Sequence, residues 1–216
     1  MQVVQDTSTT VRIGEIVATS IAEFEAQTVQ LHESPPLGAL VHVRDGRGSV
    51  VYGVVGSVRT DGIETGLRPI PRGRDGCEDA DVFRDNPDLA FVLRTCFQCI
   101  VVGFGDETSV YHHLPNAPAP MHYSVLPCSE GTCARFSRRL AYFRLILAAR
   151  SAPAEEVLAA HIRFLSATRR EPFSITGDSE TPAAFCVRAG REVATLLRGD
   201  HQRTTAILQS IRPAVV

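Results

Sequence analysis

Cys96-Phe97-Gln98-Cys99 and Cys128-x4-Cys133 are the side chains whose types and spacing come closest to a chemical centre. Four thiolates could hold a tetrahedral zinc ion, which takes soft ligands supplied as closely spaced pairs. The residues between them argue the other way. Cys96 to Cys99 falls in a run with strand periodicity, where residues three apart point to opposite faces, and neither Gly nor Pro supplies a converging turn. Buried structural thiols are the competing and better supported reading, so no metal or other cofactor is expected. A redox pair would need a strand-to-helix setting that is missing here. His112-His113 with His122 forms a local histidine cluster. At most one of the adjacent pair could join His122 in metal or acid–base chemistry, and hydrogen-bonded loop histidines are the plainer alternative. Ser109 and Cys99 are the nearest nucleophile candidates, but no Ser or Cys occupies a Gly-x-Ser-x-Gly elbow.

Three further groups are weaker. Gly103-Phe104-Gly105 lacks the third glycine and the βαβ unit of a dinucleotide loop, so it reads as a hairpin turn. Asp75, Glu78, Asp79 and Asp81 lack the ligand order and central glycine of a calcium loop and read as a solvated segment. Arg135, Arg138 and Arg139, with Arg144 further along, could grip phosphate or a partner's carboxylates, although a solvated, salt-bridged face is the commoner use of such a run. All 22 basic residues are arginine. Without lysine there is no phosphate-gripping P-loop and no Schiff-base chemistry, so an enzyme is not expected.

The chain has 216 residues, 44% of them hydrophobic, enough for one large domain or two small ones, and its net charge of -2 sets up no global attraction for nucleic acid or anionic lipid. Met1 to Thr10 is polar rather than a secretory signal, and no apolar run approaches the roughly 20 residues of a membrane-spanning helix. A soluble cytoplasmic protein with reduced thiols is expected.

The elements that must position these residues change character along the chain. Arg12 to Val17 and Glu23 to Leu31 alternate apolar and polar residues. Pro35-Pro36-Leu37-Gly38 bends the chain into Ala39 to Val43, Asp45-Gly46 turns it again, and Ser49 to Val58 forms a long strand whose Gly53 and Gly56 permit tight curvature. Asp61 to Asp85 is a polar excursion, and Asn86-Pro87 is the start signal of a short helix to Leu93. Strands follow at Thr95 to Phe104, Ser109 to His113 and Met121 to Leu126. Beyond Cys128 the period becomes helical. Phe136, Leu140, Phe143 and Leu147 make one stripe of a helix that would also carry the four arginines. Further helices are expected over Ala154 to Thr168, from Thr181-Pro182 to Gly199, and from Asp200 through Ile211, with a loop at Glu171 to Glu180. The fold class is therefore α+β: a small closed antiparallel barrel over residues 1–127, with an excursion at 61–94, and a helical region over 128–216.

The run Gly14-Glu15-Ile16-Val17, Glu23-Phe24, Pro35-Pro36-Leu37-Gly38-Ala39-Leu40-Val41 and Tyr52-Gly53-Val54-Val55 resembles the HAS barrel, the small β-barrel at the N-terminus of HerA-type DNA-translocating ATPases and of ATP synthase catalytic-ring subunits. Arg84-Asp85-Asn86-Pro87 and Leu114-Pro115 through Pro120-Met121-His122 are similar to stand-alone members without an ATPase domain. The resemblance covers roughly residues 10–127 and implies assembly: barrels of this family pack side by side in rings and hold partners. No catalytic residue comes with it. The expected function is a non-enzymatic adaptor whose partner is a protein, a ring ATPase being one candidate and a second copy of the chain another. Pro35, Pro36, Leu37 and Gly38, with the excursion, are the expected contact surfaces, and a bulky residue at Gly38 should block the complex without unfolding the chain. The alternatives are a nucleic-acid accessory protein using Arg135, Arg138 and Arg139, and a metal-dependent enzyme built on the cysteines and histidines.

Overall fold

The computed structural model describes residues 11–46, 48–64, 70–73, 75–76, 78–106, 108–169 and 180–211. The polar opening Met1–Thr10, part of the excursion at 65–69, and the expected loop at 171–179 lie outside the described residues. Seven strands form: β1 (Gly14–Thr19), β2 (Glu23–Thr28), β3 (Leu40–Arg44), β4 (Val50–Gly62), β5 (Leu93–Gly105), β6 (Val110–Tyr111) and β7 (Ser124–Pro127). Their order is β2-β1-β7-β3-β4-β5-β6, and β2 also pairs with β5. Six strands therefore close into an antiparallel barrel, while β6 hangs on the end of β5 as a hairpin. Closure satisfies edges that an open sheet would leave bare.

Alternation decides what lies inside. Ile16, Phe24, Ala26, Val41, Val43, Val51, Val55, Phe97, Cys99 and Val125 fill the barrel, and Glu23, Glu25 and Gln27 take the outer positions of β2. Gly53 is needed here, because a Cβ would stand 2.8 Å from Phe24 Cε1 and 3.0 Å from Cys99 Cβ. The β4–β5 ladder slips between Tyr52 and Gly53 and again across Gly56, which places both curvature glycines at irregularities of the barrel wall as the sequence implied.

The outer wall of β3, β4 and β5 is apolar as well. Leu40, Tyr52, Val54, Ile100 and Val102 meet Phe136, Phe143, Ile146, Val157, Leu158 and Ile162 of the helical region in one continuous core. Each fully buried side chain of this size contributes about 1.5–3 kcal/mol. The helices are α3 (Glu130–Phe136), α4 (Phe143–Ala148), α5 (Ala154–Ala167), α6 (Pro182–Leu196) and α7 (His201–Ile211). Thr181 caps α6 by accepting from the Ala184 N–H at 3.2 Å, and Asp200 accepts from the Arg203 N–H at 3.1 Å ahead of α7. The helical region is thus seated on the barrel wall, its core continuous with that wall across residue 127.

Three expectations need correction. The single helix carrying Phe136 to Leu147 is two short ones, α3 and α4, separated by a turn. The break has a polar cause: the Ser137 hydroxyl donates back to the Cys133 carbonyl at 2.6 Å, and Arg188 donates to the Ser137 and Arg138 carbonyls at 3.1 and 3.3 Å. The Cys133 carbonyl still accepts the helical Ser137 N–H at 3.0 Å, so it is the Ser137 and Arg138 carbonyls that Arg188 engages in place of further helical N–H groups. The excursion contains a helix, α1 (Asp79–Asp85), which buries none of its residues and so carries no apolar stripe in the sequence. Asn86 closes α1 rather than opening the next helix, donating from Nδ2 to the Val82 carbonyl at 2.9 Å, and α2 is confined to Leu89–Val92.

Polar contacts tie the layers together. Arg169, with its side chain 8% exposed, lies 3.8 Å over the Phe185 ring and donates to Ser137 Oγ at 2.6 Å. Glu180 accepts two bonds from Arg188, at 2.8 and 2.6 Å, and stands 3.5 Å from Arg169. Its carboxyl is held below the usual range first by the Arg188 hydrogen bonds. Replacing Glu180 with Ala leaves two guanidinium groups beside one ring without their shared anion. We expect a loss of about 2–4 kcal/mol, read as a lower urea midpoint. An unchanged midpoint would show the triad to be dispensable.

Candidate functional site

The sequence-derived sites are mostly dispersed by the fold. Cys99 lies inside the barrel, whereas Cys96 lies beside Glu25 on its outer side. Cys133 belongs to the core between barrel and helices, with its thiol 3.8 Å from the Cys128 carbonyl and pushed up to about 12 by burial. Among the described residues, no three His, Cys, Asp or Glu side chains are grouped to hold a metal ion. The histidines also separate. His112 bonds the Phe136 carbonyl, His113 the Leu114 carbonyl and His122 the Glu15 carboxylate, at 3.0, 3.1 and 3.0 Å. Ser109 sits in the β5–β6 turn, where its N–H donates to Asp106 at 2.8 Å, far in the ladder from Cys99. Gly103-Phe104-Gly105 ends β5 at that same hairpin. Asp81 pairs with Arg84 at 2.7 Å, while Asp75, Glu78 and Asp79 are exposed.

Arg135 lies in the last turn of α3, Arg138 and Arg139 lie in the turn after it, and Arg144 on α4 donates to the His112 carbonyl at 3.2 Å. They do not share one helix face. In the Pro35 to Gly38 turn, Pro36 and Leu37 are exposed and Pro35 is half-buried, but Gly38 is buried under α5. A bulky residue there would strike the α5 backbone rather than a partner. That expectation is overturned by the packing of His161, whose Nδ1–H donates to the Gly38 carbonyl at 2.7 Å.

Pairing of β3 with β7 creates a Cys–His contact that spacing could not reveal. Cys128 Sγ stands 3.6 Å from His42 Nδ1, 86 residues away. Burial, and then Arg44, hold the His42 imidazole down to about 4, and burial pushes the Cys128 thiol well above its ordinary value. Both partners are therefore neutral near pH 7, and the thiolate–imidazolium form that activates a nucleophile is not the resting state.

The feature with a surface to offer is the arm. β4 and β5 are each 13 residues long and pair along their whole length, so their far ends project past the point where β3 and β2 stop. Arg94 donates to Asp61 at 3.0 Å and staples the base. Arg72 donates to Asn86 at 3.2 Å and to Asp88 at 3.3 Å, joining the returning chain to the α1–α2 junction. The His32 ring meets Phe83 edge-on at 5.3 Å and orients α1 against the β2–β3 connection. On this frame Phe91 is 80% exposed, Ile70 77%, Val92 46%, Ile63 43% and Phe83 42%. The exposed phenylalanines among the described residues, Phe83 and Phe91, are both here. Residues 61–94 also hold eight of the 24 acidic residues against five arginines. The sequence marks the excursion as a contact surface but not which side chains serve it: Phe83 lies in its polar stretch and Phe91 in the short helix expected after Asn86.

No protein-family model and no curated protein matches this chain. Among the described residues, no helix is long and apolar enough to cross a membrane.

Proposed function

We propose that the chain is a non-enzymatic assembly module that docks on a protein partner through its arm. The observation that carries this reading is the exposure of Phe83 and Phe91, with Ile63, Ile70 and Val92, on a projecting acidic frame. Exposed apolar groups concentrated in this way mark interaction surfaces, and aromatic side chains are the residue type that anchors them. The complementary partner presents an apolar cleft rimmed by arginine or lysine, since the arm carries a net negative charge. Given the resemblance to the HAS barrel, a ring ATPase of the HerA type is the first candidate. The alternative of phosphate contacts through Arg135, Arg138 and Arg139 has lost the continuous helix face on which it relied.

The Phe83→Ser/Phe91→Ser double variant tests the arm directly. Neither side chain is buried, so the variant should fold as the parent does. In affinity capture from the native host, a stoichiometric partner held by the parent should bind the variant at least about 30-fold more weakly, the effect of removing one aromatic anchor worth about 2 kcal/mol or more. Equal recovery by parent and variant, or no partner at all, would reject the arm as the docking surface.

A further inference from the structure

The barrel is closed, but the arm has an open edge. β3 pairs with β4 only as far as Val54, and Val55 completes the contact through its bonds with Gly38 and Ala39. Beyond that point, among the described residues, β4 has β5 on one side only. The Ile63 N–H donates to the Val92 carbonyl at 2.9 Å, which fixes the phase of the ladder: Ser57, Arg59, Asp61 and Ile63 turn their backbone groups toward β5. Val58, Thr60 and Gly62 therefore turn theirs outward. No backbone bond to these three groups on the outer side is present among the described residues. The edge is accessible, with Val58, Arg59 and Thr60 all exposed. Such a row of unpaired donors and acceptors is a template for another strand.

We propose that this edge is a homodimer interface, in which β4 pairs antiparallel with β4 of a second copy about a twofold axis at Thr60. The argument is self-complementarity. A twofold at Thr60 sets Val58 opposite Gly62, Thr60 opposite Thr60, and Gly62 opposite Val58, so that every outward backbone group on each copy finds a partner. The same register places Arg59 directly opposite Asp61 of the second copy, twice, as close non-hydrogen-bonded pairs. The charged groups facing this position are balanced within one copy. Arg59 meets Glu25 at 2.7 Å and Asp61 at 3.3 Å, and Arg94 meets Asp61 at 3.0 Å. Joining two copies therefore sets unlike charges directly opposite each other, with like charges only on the longer diagonals. A register shifted by two residues in either direction loses the match, because it centres the twofold on Arg59 or on Asp61 and sets that charge directly opposite its own copy. Val58, at 42% exposure, and Ile63, at 43%, flank the seam and supply apolar area to cover. The dimer goes beyond the adaptor reading and stands whether or not the arm also takes a second protein.

Sedimentation of the full chain over a dilution series tests the pairing. The parent should show a concentration-dependent monomer–dimer equilibrium. Thr60→Pro removes one outward N–H at a position where an edge strand tolerates proline, and should shift the protein to monomer. Because that variant also loses the Thr60 to Thr95 hydroxyl contact of 2.8 Å, charge reversal gives an independent reading. Arg59→Asp should dissociate the dimer by setting two acids opposite each other, and Arg59→Asp/Asp61→Arg should restore it. A monomer at every concentration, or a dimer indifferent to Thr60→Pro and to Arg59→Asp, would overturn the proposal. Failure of the dimer leaves the partner reading intact, since that reading is decided by the Phe83 and Phe91 variant.

Discussion

Gly38→Ala should destroy the folded state, although it adds one methyl group to a turn. Gly38 has φ of +80°, where an L residue costs about 1–2 kcal/mol. Its Cβ would fall against the backbone N of His161 and 2.5 Å from the Ala160 carbonyl carbon. Those are main-chain atoms in the middle of α5, so no rotamer change relieves the clash. The only escape is to move α5 off the barrel. That would break the bond from His161 to the Gly38 carbonyl and open the core holding Val157, Leu158 and Ile162. Strain, a lost buried bond and partial loss of packing together amount to about 5 kcal/mol or more, comparable with the whole stability of an ordinary domain. Circular dichroism with urea titration would show a lost or sharply weakened transition. A cooperative transition at the parental midpoint would mean that α5 does not rest on this turn.

The second large effect is acid sensitivity. His161 is fully buried between the Gly38 carbonyl and the Tyr142 hydroxyl, which donates to Nε2 at 2.9 Å. The acceptor on one side fixes the proton on Nδ1, so Nε2 must stay unprotonated to receive Tyr142. Burial holds the imidazole down to about 4 from an ordinary 6.5. A folded pKa below the unfolded one means that the unfolded chain binds the extra proton first. The contribution is therefore fully present above pH 6.5 and is lost as pH falls toward about 4, at about 1.4 kcal/mol per unit and about 3 kcal/mol in all. His42, also held down to about 4, adds a loss of the same sign over the same window. The chain should be stable near neutrality and unfold cooperatively between about pH 6 and 4. In His161→Gln, stability at neutral pH should drop while its dependence on pH over that range roughly halves. A parental stability that is flat from neutral pH down to about 4 would contradict the buried neutral tautomer.

Both effects meet at one place that the sequence described only in half. Pro35-Pro36-Leu37-Gly38 was legible as a bend because proline cannot donate and glycine relieves steric limits. That Gly38 would lie under α5 was not legible, since the contact joins residues 123 positions apart. The arginines tell the same story. Their spacing suggests one helix, whereas the Ser137 and Arg138 carbonyls beyond α3 are taken by Arg188, which reaches them only once α6 has docked. Within the arm, the stretch from Asp61 to Asp85 reads as a polar excursion because α1 buries nothing and so lacks the period by which a helix is recognised.

The sequence alone determined the strand and helix classes, the change from period two to helical period near Cys128, the curvature glycines, the caps at Thr181 and Asp200, and hence a barrel followed by helices. Each of these is set by sterics, hydrogen bonding and alternation within a few residues. Tertiary structure decided which strands closed the barrel, which of its walls the helices covered, the pairing of His42 with Cys128, and the outward edge of Val58, Thr60 and Gly62. Those depend on contacts between distant segments, whose register is fixed by competition for buried area and backbone partners across the whole chain and by no local run of residues.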